Sequence, residues 1–169
     1  MLHLYCGNGK GKTTAAMGLA LRAAGRGKRV VIAQFLKGAD SGERLALARL
    51  PQVTLLPVPD AVKFSFRMSE DERRSEAQRY QDLLKLISRT ARGCFLLVLD
   101  EACAACRHQL VDEALLRQAA AMAKQGREVV LTGRDPAPWM QEAADYSTEL
   151  RAVRHPYTQG TPAREGIEY

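Results

Sequence analysis

An α/β fold with a mostly parallel central sheet is what this 169-residue chain predicts, and three observations carry the prediction. Short apolar runs recur at residues 2–6, 30–35, 53–58, 94–99 and 128–132, separated by stretches with helical spacing. A glycine-rich turn, Gly7-Asn8-Gly9-Lys10-Gly11-Lys12-Thr13-Thr14, joins the first run to an Ala/Leu-rich stretch. The run at 94–99 is apolar throughout and leads into Asp100-Glu101, as a strand does when both faces are buried and its carboxyl edge carries chemistry.

Taken in order, residues 2–6 form the first strand and the Ala/Leu-rich stretch after the turn forms the first helix. Residues 30–35, β-branched and following Gly27, predict the second strand, and 53–58, set among prolines, the third. Ser69 opens a long helix: Glu72 completes a capping-box pattern, Leu83, Leu84, Ile87 and Ala91 keep helical spacing, and Gly93 ends it. After the 94–99 strand come a helix over 110–124, a strand over 128–132, a short helix over 138–144 and a final strand over 146–153. From His155 to Tyr169, glycines and prolines interrupt a segment without periodicity, which predicts a loop-like tail wrapping back on the domain.

The length fits one domain over residues 1–169, large enough for a continuous core without disulfides or structural metal. A hydrophobic share of 46% and a charged share of 26% exclude a disordered chain. No apolar run approaches the ~18 residues needed to span a bilayer, and a strand and glycine-rich turn at the very start leave no room for a signal peptide, so a cytoplasmic protein is expected. The net charge of +6 raises nucleic acid as a partner. The basic residues, however, are dispersed and often lie beside acids, as in Glu70-Asp71-Glu72-Arg73-Arg74, so nucleic acid is not expected and a polyanionic small ligand accounts for the charge. The cysteines are Cys6, Cys94, Cys103 and Cys106. Cys103, Cys106 and His108 look metal-like, but a second ligand pair at zinc spacing is absent, so ordinary reduced thiols on a helix are expected.

The turn at 7–14 is a phosphate-binding loop. Gly7, Gly9 and Gly11 allow the backbone amides, including those of Asn8 and Lys10, to point inward; Lys12 adds a positive charge, Thr13 offers a hydroxyl to magnesium, and Thr14 continues the helix start. The usual spacing places a glycine five residues before Gly11, where this chain has Cys6, so the loop is a variant. Ligands of open α/β sheets sit beyond the carboxyl ends of the strands. That rule puts the loop, residues 35–38 and the pair Asp100 and Glu101 on one rim, with the two carboxylates as candidates for holding Mg2+ directly or through water. The blander alternative is a pair of exposed acids at a helix start.

To this point the residues indicate a magnesium nucleotide enzyme without specifying its reaction. Tyr5-Cys6 and the loop, Gln34-Phe35-Leu36-Lys37-Gly38, Val98-Leu99-Asp100-Glu101, Leu131-Thr132-Gly133-Arg134, His155-Pro156-Tyr157 and Ala163-Arg164-Glu165-Gly166-Ile167-Glu168-Tyr169 together resemble the ATP:corrinoid adenosyltransferase family of cobalamin metabolism. The resemblance runs from end to end. It implies a P-loop, RecA-like three-layer fold, a homodimer, and transfer of the 5′-deoxyadenosyl group of ATP to Co(I) of a corrinoid with release of triphosphate. It further implies that Lys12 and Glu101 act in catalysis, that Thr13, Asp100 and Glu101 hold Mg2+, and that an electron donor such as a flavoprotein supplies Co(I).

The same resemblance implies that Phe64 and Phe66 displace the lower axial ligand of Co(II), which eases its reduction; some relatives carry Trp where this chain has Phe66. Packing of the two rings into the core is the alternative. Some members cover the active site with an N-terminal arm, whereas this sequence begins Met1-Leu2-His3. Closure is therefore expected from the partner subunit or the C-terminal segment, with His155 and Tyr157 as lining candidates. The rival readings are a P-loop ATPase or kinase, releasing ADP or phosphate, and a non-catalytic corrinoid-binding or nucleic-acid-binding module switched by ATP.

Overall fold

The computed structural model describes residues 1–63, 67–156 and 160–168. Its strands are β1 (Leu2–Cys6), β2 (Val30–Gln34), β3 (Val53–Leu55), β4 (Leu96–Asp100), β5 (Glu128–Gly133) and β6 (Tyr146–Glu149). Its helices are α1 (Lys12–Gly25), α2 (Gly42–Leu47), α3 (Glu70–Thr90), α4 (Ala102–Arg107), α5 (Glu113–Ala120) and α6 (Pro138–Ala143). The strands form one sheet in the order β3-β2-β4-β5-β1-β6, and every pairing is parallel. The α/β class with a parallel sheet is thus as the sequence predicts.

Two apolar layers flank the sheet, because successive side chains along a strand point to opposite faces. Val30, Ile32, Leu96, Val98 and Val130 pack under α1 and α2, against Ala16, Met17, Ala20, Ala23, Ala24 and Leu47. The small residues of α1 let that helix approach the sheet closely. Val31, Ala33, Leu97, Leu99, Val129 and Leu131 face the other way, into a larger core with Tyr80, Leu83, Leu84 and Ile87 of α3 and Leu116 of α5. Burial on both faces explains why β2 and β4 read as unbroken apolar runs.

Ser69 caps α3 through a complete capping box with Glu72, and Gly93 adopts a left-handed φ of 69° after the helix ends. Several elements differ in extent from expectation. The 110–124 helix begins only at Glu113, because the Asp112 side chain accepts a hydrogen bond from Leu115 N–H and caps it there. It then tightens into a 3-10 turn, Ala121–Gln125. β3 stops at Leu55, short of Pro57, which has no N–H to contribute to a ladder. β6 stops at Glu149, where the chain bends onto the glycine-rich loop. Among the described residues, no helix is long and apolar enough to cross a membrane.

Candidate functional site

β1 and β4 are separated by β5 alone, and β2 lies on the other side of β4. The segments leaving β1, β2 and β4 therefore open on the same sheet edge. They enclose a polar cavity of about 620 Å³, lined by residues 8–14 of the loop together with Leu36, Lys37, Gly38, Glu101 and Arg134. His155, Ile167 and Glu168 from the tail reach its rim. Its size suits a nucleotide.

The loop is braced from outside. Gly9 N–H donates to Leu150 O at 2.7 Å, and the Asn8 carboxamide oxygen accepts from Ala152 N–H at 3.0 Å. A Cβ on Gly9 would lie 2.8 Å from the Leu150 and Arg151 backbone, and one on Gly7, whose φ is 106°, would run into the Leu150 carbonyl. Glycine at these two positions permits close packing against the exit of β6. The Gly9 amide is consequently turned away from the cavity that it was expected to line. Gly11, at φ 108°, is the α1 N-cap and has no side chain to cap the helix, so the first-turn amides face the cavity at the positive end of the helix dipole.

Lys12 is buried, its ammonium donating to Gly9 O at 2.7 Å. Burial lowers its pKa and Arg134 adds to the effect, against the carboxylates of Glu101 and Asp100. Lys10 instead reaches out to the tail, donating to Ile167 O at 2.5 Å and lying 3.8 Å from Glu168. The tail wraps back as expected, and it does so onto the loop.

Asp100 ends β4 and is fully buried. Its Oδ1 accepts from Thr132 Oγ1 at 2.7 Å and Thr13 Oγ1 at 3.0 Å. Its Oδ2 accepts from Gln34 Nε2 at 3.0 Å and faces Lys37 Nζ at 2.9 Å. Burial raises the carboxyl pKa, but the Lys37 charge and the hydrogen bonds from Gln34, Thr132 and Lys37 outweigh it and hold the group below the usual range. Gln34 is itself fixed by Arg44, whose NH1 lies 2.9 Å from the carboxamide oxygen. Glu101 differs from its neighbour. It adopts a left-handed φ of 58°, its N–H donates to Thr132 Oγ1 at 2.9 Å, and it lines the cavity. Burial and then the Asp100 charge raise its pKa, opposed by Lys37, Lys12 and Arg134.

Thr13 and Glu101 line the cavity, and Asp100 lies buried directly behind Thr13, so the three are hard oxygen donors gathered in one place, a donor set that fits Mg2+. Gln34, Lys37, Arg44, Thr132 and Arg134 complete the site; the sequence put Lys37 on the ligand rim within 35–38 and carried Gln34, Thr132 and Arg134 in the family motifs, but gave none of the five a role of its own, and Arg44 did not figure at all. Gln34 and Thr132 did leave a signal: each is a polar residue that directly follows the apolar run of its strand, near the carboxyl end.

Cys103 and Cys106 lie on α4, the former buried and the latter 3.8 Å from Glu113 Oε2. Among the described residues no group of three His, Cys, Asp or Glu side chains could hold a metal. Phe64, Phe66 and Tyr157 lie outside the described residues.

The family model described as ATP:corrinoid adenosyltransferase BtuR/CobO/CobP matches residues 1–169. This chain belongs to that family. Relatives of the adenosyltransferase include the corrinoid adenosyltransferase of Pseudomonas aeruginosa, 34% identical over all of this chain and 83% of its own length. That of Escherichia coli K12 is 32% identical over 98% of this chain and 84% of its own. The corrinoid adenosyltransferase CobA of Salmonella typhimurium is 33% identical over the same shares. The adenosyltransferase therefore carries its family's pattern along its whole described length, tail included.

Proposed function

We propose that this chain transfers the 5′-deoxyadenosyl group of ATP to Co(I) of a corrinoid and releases triphosphate. The observation that carries the reading is the single cavity in which the phosphate-binding loop, Lys37, Glu101 and Arg134 converge, in a chain matched to the family from end to end. In this reaction the leaving group is the whole triphosphate, so charge grows on the oxygen that parts from the ribose 5′ carbon. Lys12, Lys37 and Arg134, with the amides of the first turn of α1, offset that charge in a partly closed site, where each contact counts for more than in water. The loop and β2's exit hold the triphosphate in line for displacement.

Thr13, Asp100 and Glu101 would hold Mg2+. Bound there, the ion supplies neutralisation of the triphosphate charge. Asp100, surrounded by four donors, positions Thr13 and Lys37; Glu101 presents its carboxylate to the cavity. Phe64 and Phe66 are proposed to exclude the lower axial ligand of Co(II), and the family resemblance supports a homodimer and a flavoprotein-type electron donor. The decisive assay incubates the protein with Mg-ATP and chemically reduced corrinoid. Appearance of a light-sensitive adenosylcorrinoid together with triphosphate is expected; ADP or orthophosphate without the adenosyl product would instead establish an ATPase or kinase. Replacing Phe64 or Phe66 with Ala should suppress the four-coordinate Co(II) spectrum while sparing transfer from preformed Co(I); equal loss of both would make these rings packing residues.

A further inference from the structure

Lys37 stands in an unusual place. Its ammonium lies 2.7 Å from Thr13 Oγ1 and 2.9 Å from Asp100 Oδ2, bridging two of the oxygens that suit a divalent cation. Thr13 gives its own proton to Asp100 Oδ1 at 3.0 Å, which closes a ring of ammonium, hydroxyl and carboxylate. The backbone enforces this placement. Leu36 turns through a left-handed φ of 54°, with its N–H held at 2.7 Å by the buried Tyr80 hydroxyl, so the chain leaving β2 folds back over the strand ends. The Lys37 side chain nevertheless remains 28% exposed and lines the cavity, and its four-carbon stem can swing toward it.

A lone pair of Thr13 Oγ1 that receives the ammonium N–H is unavailable to a metal ion. Two cations at hydrogen-bond separation also repel strongly. The ammonium and a divalent ion therefore exclude each other at this position. Asp100 needs a counter-charge at all times, because an unpaired buried carboxylate is costly. A polyphosphate entering the cavity changes the balance: it offers the displaced ammonium new anionic oxygens only a side-chain swing away.

We propose that Lys37 is a resident counter-ion of the metal position, which yields to a divalent cation only when a polyphosphate is present to receive its ammonium. Lys37 is then a positioning residue in the first state and a triphosphate ligand in the second, and the protein takes up metal and triphosphate together rather than metal first. The inference rests on the reading of Thr13 and Asp100 as metal ligands.

Mn2+ binding to the full chain, read from the free-ion signal in electron paramagnetic resonance, tests it without any turnover. The probes are Mn2+ alone and Mn2+ with inorganic tripolyphosphate. The unmutated protein should bind Mn2+ alone weakly, while Lys37→Met and Lys37→Gln should bind it about ten- to a hundredfold more tightly and lose a similar factor of coupling to tripolyphosphate. Unchanged Mn2+ affinity and unchanged coupling in folded Lys37 variants would overturn the proposal. Nitrogen-15 NMR of the lysine ammonium groups in unmutated protein gives an answer independent of those variants: the Lys37 signal should move with Mg2+ and tripolyphosphate together and stay still with Mg2+ alone. Movement with Mg2+ alone would also refute it. Thr13→Ala and Asp100→Asn, which retain Lys37, report on the underlying metal assignment separately; Mn2+ binding with tripolyphosphate that neither change weakens would remove that assignment, and the counter-ion role with it.

Discussion

Replacing Tyr80 with phenylalanine deletes one oxygen atom and tests how the fold aims the site. The Tyr80 side chain is fully buried, edge-on to Phe35 with ring centroids 5.1 Å apart, so the ring itself should stay in place. What is lost is the acceptor for Leu36 N–H at 2.7 Å. Leaving a buried donor without a partner costs about 1–3 kcal/mol, and the left-handed Leu36 turn loses its brace. A loss of about 2 kcal/mol should lower the melting temperature by about 4–8 °C in a domain of this size. Calorimetry reads that shift, and titration of ATP should show affinity reduced about tenfold as Lys37 loses its register, equivalent to ~1.4 kcal/mol. The pH profile adds a second check. Burial, then the neighbouring Glu76 carboxylate, push the Tyr80 hydroxyl pKa upward. The unfolded chain therefore releases this proton first, and its stability contribution, complete below about pH 10, falls as pH rises beyond that value. The Phe variant should lack this alkaline component. A melting temperature within about 1 °C of the parent, with unchanged ATP affinity, would refute the claim that the Tyr80 hydroxyl sets the Leu36–Lys37 turn.

Lys12→Ala should reduce adenosyl transfer about a hundredfold, ~3 kcal/mol in transition-state stabilisation, with circular dichroism unchanged; full turnover in the folded variant would remove this loop as the ATP site. Glu101→Gln should weaken Mg2+-dependent turnover while sparing the melting temperature, whereas Asp100→Asn, which disturbs four bonded partners, should lower both; the reverse pattern in paired kinetic and melting assays would exchange the two roles. Thiol labelling followed by mass spectrometry should modify the half-buried Cys106 first, with Cys103 protected because burial, chiefly, pushes its pKa up to about 12; early labelling of Cys103 in native protein would contradict its full burial on α4, which packs so close to Gly133 that a Cβ there would lie 2.8 Å from Cys103 Cβ.

The main elements were legible where one stretch of chain carries the whole signal. β2 and β4 announce themselves as apolar runs because both faces are covered, and the phosphate loop is eight consecutive residues. α2 left no such trace: its six residues, Gly42–Leu47, make less than two turns and bury Leu47 alone among them. Leu110 misled for the opposite reason. It is almost completely buried yet precedes its helix, since burial of a side chain does not require helical backbone. The network around Asp100 could not be read in advance, because its parts stand 31 to 87 positions apart and meet only through strand order. Tyr80 belongs to the same group: the helical spacing is read only from Leu83 onward, and its hydroxyl serves a backbone turn 44 positions away.

The bonds from Gly9 to Leu150 and from Ala152 to Asn8 have a mechanical meaning. They anchor the phosphate grip to the stretch that leaves β6, a four-residue strand exposed at every position and placed at the margin of the sheet. The outer side of β6 has no ladder partner among the described residues, so it is where another strand can add. A chain that paired there would bear on the stretch against which the loop leans, and if pairing stiffened that stretch, linkage would require a ligand held in the loop to favour the pairing by the same factor. Under that coupling, grip on the phosphates and company at the sheet margin would be two readings of one equilibrium.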